Sequence, residues 1–288
     1  MGDHRFVFVC GLQRSGTTML YRYLDEHADV SALSGTPRAT NEGQFVQSVY
    51  PSDPYHSKGG RFAFRPEARL TETSPLVTAA NRRKLFEEWS RYWDLSKAYL
   101  VEKSPPNLIR TRFLQAMFPD SYFVVLLRHP IPVTLATQPW GGDPVHRLLE
   151  HWLRAHELLV EDAAHLERLH VLRYEDLVGD PDAALARVFA FLGLEDPSSG
   201  RPRAEGVNID NFLSDQTLRT DVNEKYFDEW SRRRRPLTRR LYYDAVAWRY
   251  ERQVRAFGYS LRQPHSLRAA TVGLPGLVGA ERPRAQVA

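Results

Sequence analysis

The sequence predicts an α/β protein in three layers, a central parallel sheet flanked by helices. Three observations carry that prediction. Short, continuous apolar runs recur at Phe6–Cys10, Ala98–Val101, Tyr122–Leu127 and His170–Leu172, the pattern of strands buried on both faces. Segments of helical period lie between and after them, and strands alternating with helices argue for parallel pairing. The first run passes through a glycine-bounded loop into a helix, the arrangement of a phosphate cradle.

That loop reads Gly11-Leu12-Gln13-Arg14-Ser15-Gly16-Thr17-Thr18. Met19, Leu20, Tyr23 and Leu24 follow at helical spacing, so a helix starts near Thr17. A turn feeding a helix N-terminus offers free backbone N–H groups and the positive dipole end to an anion. A nucleotide-triphosphate loop is written G-x-x-x-x-G-K-[ST], its lysine reaching the phosphates and its hydroxyl holding Mg²⁺. Gly11, Gly16 and Thr18 keep that pattern, Thr17 replaces the lysine, and a cation stands instead at Arg14. The fold class is therefore P-loop-type, with the anion-binding geometry kept and the Mg-triphosphate machinery missing. The competing reading is an ordinary β–α turn with capping threonines.

The later elements follow in order. Asn81–Trp93 carries Leu85, Trp89 and Trp93 on one helical face, Val145–Leu159 repeats Leu148, Leu149, Trp152 and His156, and Asp182–Leu192 aligns Leu185, Val188, Phe189 and Leu192. Residues 34–64 are rich in Gly, Pro, Ser, Asp and Tyr without period, which predicts a substrate loop or lid. Residues 263–288, dominated by Ala, Gly, Pro and Arg, predict a poorly ordered tail, leaving residues 1–262 as one domain.

Composition bounds the function. At 42% hydrophobic and 26% charged residues the chain reads as soluble and globular, and a net charge of +4 suits an anionic ligand without requiring nucleic acid. The arginines at 232–235 and 239–240 read as a solvated helix face, with no interleaved aromatics to suggest a nucleic-acid patch. A single cysteine, Cys10, excludes an internal disulfide and a cysteine-rich metal site. No membrane span or signal peptide is expected, so a cytoplasmic protein is the default.

Three further motifs make the reading specific. Lys103-Ser104-Pro105 follows one strand, Arg128-His129-Pro130 ends another, and Tyr174-Glu175-Asp176-Leu177 follows a third. With Arg14–Thr18, their order and spacing over residues 5 to about 260 resemble the sulfotransferases that use 3′-phosphoadenosine 5′-phosphosulfate (PAPS). The bacterial and tyrosylprotein-type branches fit better than the cytosolic aryl branch.

The resemblance implies a role for each residue. Arg14, Ser15, Gly16, Thr17 and Thr18 would wrap the 5′-phosphosulfate without a metal, and Lys103 would supply a second cation beside the leaving oxygen. Arg128 would hold the 3′-phosphate, a reading its place at a strand's carboxyl end also favours over a structural ion pair. The family's usual partner serine falls at Ala136 here, which leaves Thr137 as the substitute. Tyr174 would sit beside the adenine, and Ser214 and Arg219 resemble a segment that covers the cofactor. The general base matches Glu42 by context, with His56 and Glu72 as competitors. The expected reaction is metal-independent sulfuryl transfer to a hydroxyl of a small molecule, carbohydrate or peptide. The alternatives are a P-loop kinase and an inactive nucleotide-binding protein; no nucleic-acid or membrane partner is expected, and a homodimer stays open.

Overall fold

Five strands build the sheet: β1 (Arg5–Cys10), β2 (Val30–Ala32), β3 (Tyr99–Lys103), β4 (Tyr122–Leu127) and β5 (Leu169–Arg173). They lie in the order β2-β3-β1-β4-β5, and all four pairings are parallel. The structure is a computed structural model and describes residues 3–53, 59–197, 223–231 and 236–266. Every residue of β4 is buried, as its unbroken apolar run requires of a central strand covered on both faces.

Nine α-helices occur in the described part: α1 (Thr17–Asp25), α2 (Ala79–Ser90), α3 (Thr111–Met117), α4 (Pro130–Gly141), α5 (Val145–Ala163), α6 (Tyr174–Gly179), α7 (Pro181–Leu192), α8 (Glu224–Ser231) and α9 (Leu237–Ala256). The four strands expected from sequence are present, with ends shifted by a residue or two. β2 had no sequence signal: Val30-Ser31-Ala32 is too short to show a period and exists because it pairs with β3. α4 was also missed, because Pro130, Pro132 and Pro139 argue against a helix. Pro130 and Pro132 fall in its first turn, where the backbone N–H has no intrahelical partner to lose. The His129 side chain caps that turn, its Nδ1 accepting from Ile131 N–H at 3.1 Å.

Arg239 and Arg240 lie exposed on α9, which buries Tyr243, Val246, Tyr250 and Val254 on its other face, as a solvated helix face requires. Arg232–Arg235 fall outside the described residues, as does the tail from 267 onward.

The topology sets the site. All strands run the same way, so their carboxyl ends share one edge. From β1 the chain leaves toward β2, and from β4 it moves to β5 on the opposite side. The crevice between β1 and β4 is thus the switch point of the sheet, where open α/β folds bind ligands. The 11–18 loop and Arg128 both emerge there.

Candidate active site

The loop between β1 and α1 is shaped by its glycines and by one strained arginine. Gly16 caps α1 at φ 91°, and a Cβ there would come within 2.7 Å of Tyr174 Cδ2. No side chain caps α1 and no acidic residue occupies its first turn, so the positive end of its dipole faces the loop uncompensated. Arg14 sits at φ 69°, a left-handed conformation uncommon outside glycine. Its carbonyl accepts from Arg128 Nη1 at 2.7 Å, and its guanidinium lies 5.1 Å from the ring centre of Trp140 on α4. Ser15 Oγ and Gln13 Nε2 are buried with no protein partner. Orphaned polar atoms in an uncapped, arginine-bearing turn fit an anion, and phosphate oxygens supply what both groups lack.

Beneath the loop, Arg128 leaves the end of β4 and is 6% exposed. Its guanidinium lies 4.0 Å from the ring centre of Tyr174, which also packs against Gly16. Nε and Nη2 donate to Asn223 Oδ1 at 3.0 and 2.7 Å. Asn223 Nδ2 donates to Glu175 Oε1 at 3.0 Å, and Glu175 also accepts from His129 N–H at 3.1 Å and from the Tyr259 hydroxyl at 2.8 Å. Burial pushes the Arg128 pKa down, against nearby Tyr174 and Glu175. His129 is held neutral, its pKa near 3, chiefly by burial. A neutral His129 accepts at Nδ1 and donates from Nε2 to the Ser260 carbonyl at 3.2 Å.

At the end of β3, Lys103 is buried and its Nζ donates to Glu42 Oε1 at 3.2 Å and to the Thr40 carbonyl at 3.0 Å. Glu42 is 4% exposed, and its Oε2 accepts from Gln44 Nε2 at 2.7 Å. Gln44 Oε1 takes the Asp53 N–H at 2.9 Å, and Asp53 pairs with Arg65 at 2.8 Å. Burial raises the Asp53 carboxyl, while Arg65 pulls it back. Arg65 lines a cleft of about 410 Å³ with Gly60, Arg61, Phe64, Asp143 and Arg147. A series of contacts, Arg65 to Asp53 to Gln44 to Glu42, thus links that cleft to Glu42. A larger cleft, about 550 Å³, lies among Trp230, Tyr243, Trp248 and Leu261 and includes none of the strand-end residues.

A family model described as Sulfotransferase family matches residues 7–198. The chain belongs to the sulfotransferase family. It is 25% identical over 242 residues to protein-tyrosine sulfotransferase 2 of Gallus gallus, covering 78% of this chain and 62% of that one. It is also 25% identical over 150 residues to the omega-hydroxy-beta-dihydromenaquinone-9 sulfotransferase of Mycobacterium bovis, 46% of this chain and 39% of that one. The chain thus spans less than two thirds of these relatives. The sulfotransferase domain of the Synechococcus PCC 7002 olefin synthase superposes with a TM-score of 0.51 at 19% identity, over 86% of this chain and 94% of that one, a likeness of fold.

Against the sequence expectations, the structure brings two clusters to one sheet edge: Arg14–Thr18 with Arg128 and Tyr174, and Lys103 with Glu42. Of the competing bases, Glu72 is engaged by Arg112, whose Nε donates to it at 2.6 Å, and His56 lies outside the described residues. Ser214 and Arg219 also lie outside them. Thr137 is buried on α4, its methyl carbon 3.4 Å from where a Cβ on Gly60 would stand. In the 34–64 loop, Tyr50 and Phe62 are drawn into the core, and among the described residues Phe64 is the aromatic that lines the cleft. Among the described residues no helix is long and apolar enough to cross a membrane. Sequence reasoning missed Asn223, Glu175 and Glu102. Glu175 lay inside a motif already singled out, whereas Asn223 carried no signal.

Proposed function

We propose that the protein is a PAPS-dependent sulfotransferase acting on a hydroxyl-bearing acceptor, with no resident metal. The observation that carries this reading is the buried Lys103–Glu42 pair at the same sheet edge as a lysine-free phosphate loop. When bound, PAPS supplies a sulfuryl group whose leaving group is adenosine 3′,5′-bisphosphate.

Each residue then has a task. The first-turn N–H groups of α1, with Ser15, Thr17 and Thr18, bind the 5′-phosphate end, and Arg14 faces the oxygens where charge builds. Arg128 binds the 3′-phosphate, with Thr137 as the second contact, and Tyr174 props the loop beside the nucleotide. Ser214 and Arg219 cover it. Glu42 removes the acceptor proton. Taking that proton neutralises Glu42, and Lys103 loses its anionic partner. Its charge becomes free to stabilise the leaving oxygen at the moment that oxygen becomes anionic. The cleft at Gly60–Arg65 is the acceptor entrance, which makes residues 34–64 the acceptor loop of a single domain over residues 1–262. A cytoplasmic setting belongs to the same reading.

A kinase would place an acidic Mg²⁺ ligand near a strand end and a lysine in the loop. Here Arg128 follows the last residue of β4, Thr17 stands at the lysine position, and the acidic residue near the end of β3, Glu102, is engaged by Gly43, Ser104 and Asn107. The test is Glu42→Gln, which keeps the shape and removes the base. Turnover at saturating PAPS should fall by about 10²- to 10⁴-fold, with bisphosphate affinity little changed. Unchanged turnover would show that Glu42 is not the base.

A further inference from the structure

Glu102 stands beside Lys103 on β3 and has no task in the reaction described above. It is fully buried, yet it is a carboxylate. Every hydrogen bond it makes comes from a donor. Gly43 N–H donates to Oε1 at 2.8 Å, the Ser104 hydroxyl donates to Oε1 at 2.5 Å, and the Asn107 side-chain amide donates to Oε2. Ser104 Oγ in turn accepts from Gln44 N–H at 3.1 Å. The Gly43 carbonyl is taken from the other side by Trp89 Nε1 at 3.0 Å. Both backbone groups of Gly43 are therefore held, one by a strand and one by α2, and the residue before it is Glu42.

Position 43 admits only glycine for reasons of space. A Cβ there would lie 2.5 Å from Glu102 Cγ and 2.8 Å from Trp89 Nε1. The choice of a carboxylate at 102 follows from the donors around it. An ionised carboxylate only accepts, and with two oxygens it can take all three bonds at once. Burial pushes the Glu102 pKa up, and the three donors pull it back. Without them the site would hold an unsatisfied buried charge.

We infer that Glu102 is the positioning residue of the active site: by fixing the Gly43 amide, it aims the Glu42 carboxylate at Lys103. This inference rests on the sulfuryl-transfer reading of the same site. Glu102 touches neither the acceptor nor the donor. It acts through the backbone, holding a general base whose efficiency depends on geometry at the level of an ångström.

The test combines amide hydrogen exchange, turnover and nucleotide affinity on the full chain. In the unaltered protein the Gly43 amide should exchange as slowly as the amides of β3; an unprotected Gly43 would overturn the clamp without any variant. Glu102→Ala should speed Gly43 exchange and lower kcat, each by about tenfold or more, while affinity for adenosine 3′,5′-bisphosphate stays within about twofold. Glu102→Gln keeps an acceptor for Gly43 and Ser104, and Asn107 can turn its carbonyl toward the new amide. It should restore most of both losses. If Glu102→Ala leaves kcat unchanged, or lowers kcat and nucleotide affinity by the same factor, the positioning role is wrong. Should Glu102→Ala not fold, the milder Glu102→Asp, which keeps the charge but draws the carboxylate back from the Gly43 amide by one methylene, must show the same split between kcat and affinity. A protected Gly43 in a protein that neither turns over PAPS nor binds the bisphosphate contradicts the sulfuryl-transfer reading and leaves the clamp standing as a structural contact alone.

Discussion

Under the proposed function Arg128 carries two tasks on one guanidinium, supporting the loop and binding the 3′-phosphate. A guanidinium has five N–H donors. Three are directed at the Arg14 carbonyl and at Asn223, which leaves two for a phosphate. Arg128→Ala therefore separates the tasks. Binding of adenosine 3′,5′-bisphosphate should weaken by about 10- to 100-fold, the worth of one or two charge-assisted hydrogen bonds, and binding of AMP by much less. Equal losses for both nucleotides would mean that Arg128 only supports the loop. The sequence points to this residue and to Lys103 because a charge at the end of an apolar strand has few structural explanations, and to Arg14 because it stands in a phosphate-type loop without its lysine. Asn223 and Glu102 were not legible there, because their partners lie 95 and 59 residues away along the chain, at Arg128 and Gly43. Only the folded sheet brings them together.

In the proposed reaction, the loop and α1 form the element on which donor binding depends. Gly16 is at once the helix cap, a left-handed residue and a surface pressed by Tyr174. Gly16→Ala brings a left-handed penalty of about 1–2 kcal/mol and a steric conflict with a buried ring. Bisphosphate affinity measured by calorimetry should fall by at least about tenfold, while circular dichroism shows the sheet intact. Affinity equal to that of the unaltered protein would remove the loop from the site. Element by element, helical period made α2, α5 and α7 readable, and unbroken apolar runs did the same for β1, β3, β4 and β5. β2 depends on pairing with β3 and α4 on tolerance of prolines in a first turn, and neither leaves a local periodic trace.

At the scale of the molecule, one buried sheet and its packed helices hold several neutral histidines. Burial lowers the pKa of His129 and His151 to about 3, and of His156 and His170 to about 4, from an ordinary 6.5. The unfolded chain takes up these protons below 6.5 and the folded protein refuses them, so this stability is complete above 6.5 and is lost as pH falls toward 4. Each group contributes up to about 1.4 kcal/mol per pH unit across that window. Glu102 and Asp53 act in the opposite sense, since burial raises their carboxyls, but they are fewer. The melting temperature should fall steadily from pH 7 to pH 5; a flat or rising profile would contradict the neutral-histidine account. The same architecture gathers loop, lysine, glutamate and arginine at one sheet edge, and the proposed function requires this edge to bind a 3′-phosphorylated nucleotide without metal. Titration calorimetry with adenosine 3′,5′-bisphosphate and with ATP, each with and without Mg²⁺, tests it most directly. Tight bisphosphate binding that is indifferent to Mg²⁺, with weak ATP binding, is the predicted result. Mg²⁺-dependent ATP binding that exceeds bisphosphate binding would contradict the claim.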